Sequence, residues 1–385
     1  MLFPPLSLYI HIPWCLRKCP YCDFNSYAIE NNNFEVAYIN ALISDLEQEL
    51  PQVGGRLVHS IFIGGGTPSV FSPEGIAQLL AYVQMRLNVA PTAEITLEAN
   101  PGTLESGRFA GYREAGVNRL SIGIQSFNAS ALQRLGRIHG REEAILAVEM
   151  ARQAGFTNFN LDLMFGLPKQ SVSEAIDDLH TAFALQPPHL SWYQLTIEPH
   201  TLFYHQPPPD LPDDDLLWEI QNAGQATLVE AGYCHYEISA YAKSGYDCQH
   251  NLNYWQFGDY LGIGAGAHGK LSDLSEGIIH RYNKQARPQR YLETAATPAV
   301  VEQSRVLSVA EVKLEFMMNA LRLVKGFTSQ QFTQVTGVSF PLDDLAPACQ
   351  QDWIIMTPIL NGQWLVCPTE RGLCFLNEVL DLFVP

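Results

Sequence analysis

Leu6-Ser7-Leu8-Tyr9-Ile10-His11-Ile12-Pro13-Trp14-Cys15-Leu16-Arg17-Lys18-Cys19-Pro20-Tyr21-Cys22 is the stretch on which the reading of this chain turns. The run Leu6 to Ile12 reads as a strand, and directly after it Cys15, Cys19 and Cys22 stand at C-x3-C-x2-C spacing. Three thiolates on one short loop can wrap three corners of a cubane [4Fe-4S] cluster, because soft sulfur suits iron and the spacing lets the backbone fold around the cube. The fourth iron is then left without a cysteine, and an open position is what a cluster needs in order to bind a small molecule. Two other readings stand beside this one: a zinc site lacking an obvious fourth ligand, and a chance grouping of core cysteines.

Outward from the first strand the same rhythm repeats. β-rich runs fall at about Leu6 to Ile12, Leu57 to Ile63, Glu94 to Ala99, Arg119 to Ile124, Asn158 to Met164 and Leu190 to Thr196. Segments of helical period lie between them, and Ile39, Leu42, Ile43, Leu46 and Leu50 form the clearest apolar face. Strands separated by crossover helices pair in parallel. The regular spacing predicts a curved or barrel-like sheet.

Polar or Gly-rich residues sit at the C-terminal ends of these strands, where parallel barrels place their sites. Gly64-Gly65-Gly66-Thr67-Pro68 follows the second strand, and its glycines allow close backbone approach to a ligand. It lacks the Gly-Lys-Ser/Thr ending of a nucleoside triphosphate loop. Glu98 and Asn100 end the third strand, Gln125 the fourth, Asp162 the fifth, and Thr196 with Glu198 the sixth. Any one of these alone reads as a cap or turn residue, but a succession of them reads as a site.

Pro207 to Pro209 and the acidic run Asp213 to Asp215 interrupt the rhythm. Residues 1–205 are therefore taken as the partial barrel and 206–300 as an accessory region extending it, with Asp213 capping a helix from Asp214 to about Ala231. Residues 301–385 change character. Helices at about Ser308 to Leu323, Ser329 to Thr336 and Asp343 to Gln351 precede two strands joined through Asn361-Gly362, and a last helix covers about Glu370 to Phe383. That order suggests a small winged-helix-like domain. From Arg305 onward five basic residues face eight acidic ones, so nucleic acid is not expected as its partner.

The whole chain of 385 residues is 47% apolar and carries a net charge of −17, which repels nucleic acid and anionic membrane surfaces. No apolar run reaches membrane-spanning length and none reads as a secretory leader, so membrane insertion is not expected and the cytoplasm is the expected location. Eight cysteines in a chain this long do not resemble a disulfide scaffold. Cys234, Cys248, Cys349, Cys367 and Cys374 have no partner spacing.

C-x3-C-x2-C with an aromatic, Tyr21, before the last cysteine resembles the radical S-adenosylmethionine (SAM) signature. The resemblance implies an α/β fold built on a partial (β/α)6 radical SAM barrel, and a cluster whose open iron chelates SAM. Tyr9-Ile-His11-Ile-Pro13, Gly64-Gly-Gly-Thr-Pro68, Glu98-Ala-Asn-Pro101, Gly123-Ile-Gln125-Ser-Phe127 and Asp162-Leu-Met-Phe-Gly166-Leu-Pro168 together resemble the oxygen-independent coproporphyrinogen oxidase family, and more closely its heme chaperone branch. By that resemblance Tyr9, Tyr21, Gly65, Gly66, Thr67, Glu98, Gln125, Arg137, Asp162 and Thr196 would line the SAM site. Without it, Arg137 reads as a surface charge.

The oxidases resemble C-x3-C-x2-C-x-C, whereas this chain has Phe24 where their further cysteine stands, and they carry an N-terminal extension before the motif. Both departures count against coproporphyrinogen decarboxylation, which remains the alternative function. The chaperone branch carries H-N-x-x-Y-W, matched by His250-Asn251-Leu252-Asn253-Tyr254-Trp255. Imidazole can ligate heme iron, and Tyr and Trp offer flat faces to a macrocycle. The other reading is a loop histidine satisfied by hydrogen bonds, with Tyr254 and Trp255 as core. His268, within Gly264-Ala-Gly-Ala-His-Gly269, could share such a pocket or only belong to a tight turn. The resemblance implies heme or a porphyrin as cargo, respiratory heme recipients and a reductant protein as partners. A homodimer is left open.

Overall fold

The computed structural model describes residues 2–29 and 34–384. Among them, twelve strands form one mixed sheet. In chain order these are β1 Leu6–Ile12, β2 Leu57–Gly65, β3 Asn88–Ala99, β4 Arg119–Gln125, β5 Phe159–Phe165, β6 His189–Gln194, β7 Cys234–Glu237, β8 Ala240–Ala242, β9 Asp259–Ile263, β10 His268–Asp273, β11 Ile278–Lys284 and β12 Val301–Val306. Across the sheet they run β12-β11-β10-β9-β1-β2-β3-β4-β5-β6-β8-β7. β1 to β6 are neighbours in sequence order and all parallel, as crossover connections require. The accessory region adds β9 parallel to β1 and, together with β12 from the first residues of 301–385, closes both flanks with antiparallel pairs. No ladder among the described residues joins β7 to β12, so the barrel is partial.

The parallel strands are buried on both faces but not apolar on both. On β1, Leu6, Leu8, Ile10 and Ile12 belong to the main core, while Ser7, Tyr9 and His11 alternate with them. β3 alternates Glu94, Thr96 and Glu98 with Ile95, Leu97 and Ala99, and β4 alternates Arg119, Ser121 and Gln125 with Leu120, Ile122 and Ile124. A flat parallel sheet covered by helices would be apolar on both sides. Here the polar face is turned inward. Its groups bond across strands, as in Ser7 Oγ to Ser60 Oγ at 2.7 Å and His189 Nδ1 to Asn160 Oδ1 at 2.6 Å.

The apolar face is covered by helices, chiefly α1 Glu35–Val53, α2 Pro73–Arg86, α3 Phe109–Glu114, α4 Arg141–Gln153, α5 Val172–Ala184 and α6 Asp214–Glu230. On α1, Ile39, Leu42 and Leu46 are buried, with Ile43 and Leu50 packed at the margin of the core. Local sequence sets the starts: Ser72 accepts from the Gly75 amide ahead of Pro73, Ser171 and Glu174 form a reciprocal cap, and Asp213 accepts from Leu216. None of the helices among the described residues is long and apolar enough to cross a membrane.

The C-terminal elements gather around a second core that includes Phe316, Phe327, Phe332, Leu345 and Val366, joined by Phe257 and Ile279 from the large-sheet region. Helices Val309–Ala320, Ser329–Thr336 and Leu342–Gln350 precede strands Ile354–Ile359 and Gln363–Pro368. Asn361 and Gly362 both take positive φ, 61° and 71°, the geometry for which that dipeptide is suited. The expected last helix is two short ones, Glu370–Cys374 and Leu376–Asp381. Gly372 presses against the Trp353 carbonyl, and the chain re-aims at Phe375 so that Val379 and Phe383 reach the second core.

Candidate functional site

The cysteine loop leaves β1 at Pro13 and returns at Tyr27, whose amide donates to the Pro13 carbonyl at 2.7 Å. Trp14–Cys15 pairs with Tyr27–Ala28, and Lys18 Nζ donates to the carbonyls of Phe24 and Ser26 at 3.1 Å. Asn25 Nδ2 ties the loop to the accessory region through the carbonyls of Ala265 and Ala286, both at 2.9 Å. The Gly64–Gly66 run serves this loop. The Gly66 amide donates to Ile12 O and the Thr67 amide to Trp14 O, both at 2.7 Å. A Cβ on Gly66 would lie 2.6 Å from Trp14 O, so the close approach these glycines permit is to the chain's own backbone.

Cys15, Cys19 and Cys22 all face one cavity of about 330 Å³ at the C-terminal ends of the strands. Burial, reinforced by Cys22 and Cys19, pushes the Cys15 thiol up to about 11, and burial raises Cys22 as well. Arg137 Nη1 donates to Cys19 Sγ at 3.4 Å. Its Nη2 donates to Asn100 Oδ1 at 3.1 Å and to the Gly123 carbonyl, while Asn100 Nδ2 donates to Thr67 Oγ1 at 3.0 Å. A polar chain thus runs from the cysteine loop around three successive strand ends.

Two carboxyls face this chain. The Gly65 amide donates to Glu98 Oε2 at 3.0 Å, yet burial and then the nearby Asp162 push the Glu98 carboxyl up to about 8. Burial likewise raises Asp162, against donors from Asn160 at 2.7 Å and Ser121 at 3.1 Å. Both acids are therefore short of positive charge in the site as it stands.

The cavity gathers Tyr21, Gly65, Gly66, Thr67, Glu98, Gln125, Arg137 and Asp162 with the cysteines. Thr196 is not among its lining residues. β6 ends at Gln194, Thr196 is exposed beyond it, and Tyr193 faces inward instead. Tyr9 lines an adjoining cavity of about 430 Å³, which shares Gly65, Glu98 and Phe24 with the first. The H-N-x-x-Y-W motif lies on a helix, Gln249–Trp255, that fills the concave side of the sheet. Asn251 and Trp255 face the cysteine cavity, and Tyr254 faces the adjoining one. His250 faces neither. It is fully buried, with Nδ1 at 3.0 Å from Ser60 Oγ and Nε2 at 2.9 Å from Tyr254 Oη, and burial lowers it to about 3.

Ser121, Ser191 and Tyr193, which no motif in the sequence marks, also line the cysteine cavity. Their signal is the period-two polar residue within buried strands.

The donor set fits a [4Fe-4S] cluster with SAM. No three His, Cys, Asp or Glu side chains among the described residues converge as ligands of a single ion would, whereas three thiols set around a cavity suit separate iron corners. Two buried carboxyls short of positive charge suit a ligand carrying a sulfonium. The buried Arg137 Nε and Trp255 Nε1 have no hydrogen-bond partner, leaving donors for acceptor groups of such a ligand.

Comparison with known proteins agrees. The profile of the Radical SAM superfamily matches residues 9–182. The chain is 51% identical to the heme chaperone HemW of Haemophilus influenzae over 99% of its own length and 98% of that protein. It is 50% identical to the heme chaperone HemW of Escherichia coli K12, again over 99% and 98%. Coproporphyrinogen III oxidase (HemN) from Escherichia coli, described as a radical SAM enzyme, shares the fold with a TM-score of 0.82 at 23% identity, covering 99% of this chain and 90% of that one. The chain belongs to the HemW family of the radical SAM superfamily, a superfamily defined by its [4Fe-4S] cluster and SAM.

Proposed function

We propose that this protein is a heme chaperone. It binds heme as cargo, holds a [4Fe-4S] cluster on Cys15, Cys19 and Cys22 with SAM beside it, and hands the heme on to respiratory enzymes. The observation that carries the reading is identity of 50% and 51%, over nearly the whole chain, to proteins named as heme chaperones.

When bound, cluster and SAM supply a low-potential electron and a sulfonium that the electron can cleave. The chain's residues hold and shield that pair. Arg137 donates to Cys19 Sγ and fixes its direction, Glu98 and Asp162 offer negative charge to the sulfonium, and Gln125 with Thr67 supplies polar contacts at the strand ends. Tyr21 packs against Phe203 beneath the loop. The oxidase alternative is disfavoured by Phe24, whose side chain is 58% exposed at the mouth of both cavities where a further thiol would be needed.

Anaerobically reconstituted protein should bind one heme per chain in the presence of a competing heme scavenger, and should convert no coproporphyrinogen when given SAM and a reductant. Conversion to protoporphyrinogen, or no saturable heme binding, defeats the reading.

A further inference from the structure

We propose that His268 is the protein ligand to heme iron, in the cavity that lies across Gly65, Glu98 and Phe24 from the cysteines. The proposal rests on the heme-binding reading and adds to it a site and a ligand.

The cavity has about 430 Å³, aromatic walls from Tyr9, Phe24, Tyr254 and Tyr260, and two histidines, His11 and His268. Flat aromatic faces with one free imidazole are what a porphyrin needs. His11 has no nitrogen to spare, since Nδ1 lies 2.9 Å from Tyr9 Oη and Nε2 lies 2.9 Å from Asn25 O. His250 is similarly committed to Ser60 and Tyr254 and lines neither cavity. His268 is held by its backbone in the ladder opposite Asn283, while its imidazole has no hydrogen-bond partner among the described residues and lines the cavity. Burial and the nearby Arg281 lower its pKa, which favours the neutral imidazole that binds metal.

The backbone that presents His268 is rigid. Gly266 takes φ 80°, its amide donates to Gln285 O at 3.0 Å, and the Lys284 amide donates to Ala267 O at 2.8 Å. A Cβ on Gly266 would come within 2.4 Å of Asn25 Nδ2. Asn25 also donates to the carbonyl of Ala265 at 2.9 Å, so the loop carrying the three cysteines clamps the turn that carries His268. Tyr254 and Tyr260 stand edge to face with ring centroids 4.5 Å apart, which gives the wall beside it a fixed shape. A ligand held this way can grip a metal without first being ordered.

The test is titration of the full-length, cluster-loaded protein with ferric heme under anaerobic conditions, followed by absorption and electron paramagnetic resonance. Wild type should give a histidine-ligated spectrum. His268→Ala should lose that spectrum and bind at least about tenfold more weakly, since even groups behind a metal ligand are worth that much. Free imidazole should restore the spectrum to His268→Ala, a recovery that loss of packing alone would not allow. His250→Gln should keep wild-type ligation wherever it folds. A wild-type spectrum in His268→Ala, or no recovery with imidazole, overturns the proposal while leaving heme binding intact. Absence of heme binding by wild type defeats the underlying reading and the ligand assignment with it.

Discussion

The Tyr193 hydroxyl donates a 2.7 Å hydrogen bond to the side-chain carbonyl of Gln125, although β5 lies between their strands. Strands two apart in a flat sheet are separated by roughly 10 Å. The bond spans that distance because both side chains project from the same face of the sheet and reach towards each other over β5. Gln125 also holds φ at 69°, a conformation that costs a residue with a side chain of order 1 kcal/mol or more unless its surroundings fix it. Tyr193 is the group that fixes the Gln125 side chain inside the cysteine cavity.

Tyr193→Phe should therefore leave the sheet intact and loosen the site. The expected loss of stability is about 1 kcal/mol, the net worth of one buried hydrogen bond, and SAM binding should weaken several-fold. Urea unfolding and calorimetric titration with SAM read the two effects separately. Unchanged SAM affinity would mean that Gln125 is held by the backbone alone.

Arg137 serves Cys19, Asn100 and Gly123 at once, a task suited to a planar fork and not to a point charge. Arg137→Lys should behave nearly as badly as Arg137→Ala. Both are expected to retain less iron and sulfide per chain and to lose the spectral response to SAM, while circular dichroism stays close to wild type. Iron and sulfide assay on anaerobically reconstituted protein measures this, and full cluster content in the lysine variant would show that charge alone suffices.

Glu98, pushed up to about 8 by burial and Asp162, favours its protonated form at neutral pH when no cation stands beside it. A cationic ligand must draw it into the ionised form, which takes less free energy as pH rises towards 8. SAM affinity should therefore increase between pH 6.5 and 8.5, by up to roughly tenfold for one linked proton per pH unit. Glu98→Gln should bind more weakly and lose most of that slope. A slope that persists in the variant would shift the linked proton to another group, with Asp162 next in line.

The sequence makes some of this legible and hides the rest for reasons that can be named. β1 runs from Leu6 to Ile12 as read, because four aliphatic residues alternate with three polar ones between clear breaks. The β-rich composition carries the expected sixth strand to Thr196, but Leu195 falls out of the alternation set by Leu190 and Trp192, and the chain leaves the sheet after Gln194. Arg137 sits in a short loop with no periodic context, and only the fold brings it to Cys19. The sequence leaves His250 with two open possibilities, because its partner Ser60 lies on a strand 190 positions away. Tyr193, Ser121 and Ser191 were visible in principle. A parallel strand with a polar residue at every second position, in a sheet covered by helices, must have a buried polar face, and that face leads to the site.

Lys284, at the end of β11, is wholly buried with Nζ 2.6 Å from Asp45 Oδ1 and 2.5 Å from Glu49 Oε1 of α1. Asp45 Oδ2 also accepts from the Gly264 amide at 3.1 Å and the Tyr291 hydroxyl at 2.8 Å, so this pair holds the turn that leads to His268. Lys284→Met removes the cation and leaves two carboxylates buried without it. A loss of about 3–5 kcal/mol is expected at pH 8, the cost of removing one partner from a buried ion pair. Burial already raises Asp45, and removing Lys284 raises it further in the folded state. A carboxyl whose folded pKa lies above its unfolded value loses stability as pH climbs past the unfolded value, so the deficit should be smaller at pH 5.5 than at pH 8. Urea midpoints of wild type and variant at the two pH values decide it. A deficit equal at both would show that lost packing of the lysine stem, and not uncompensated charge, is what the fold misses.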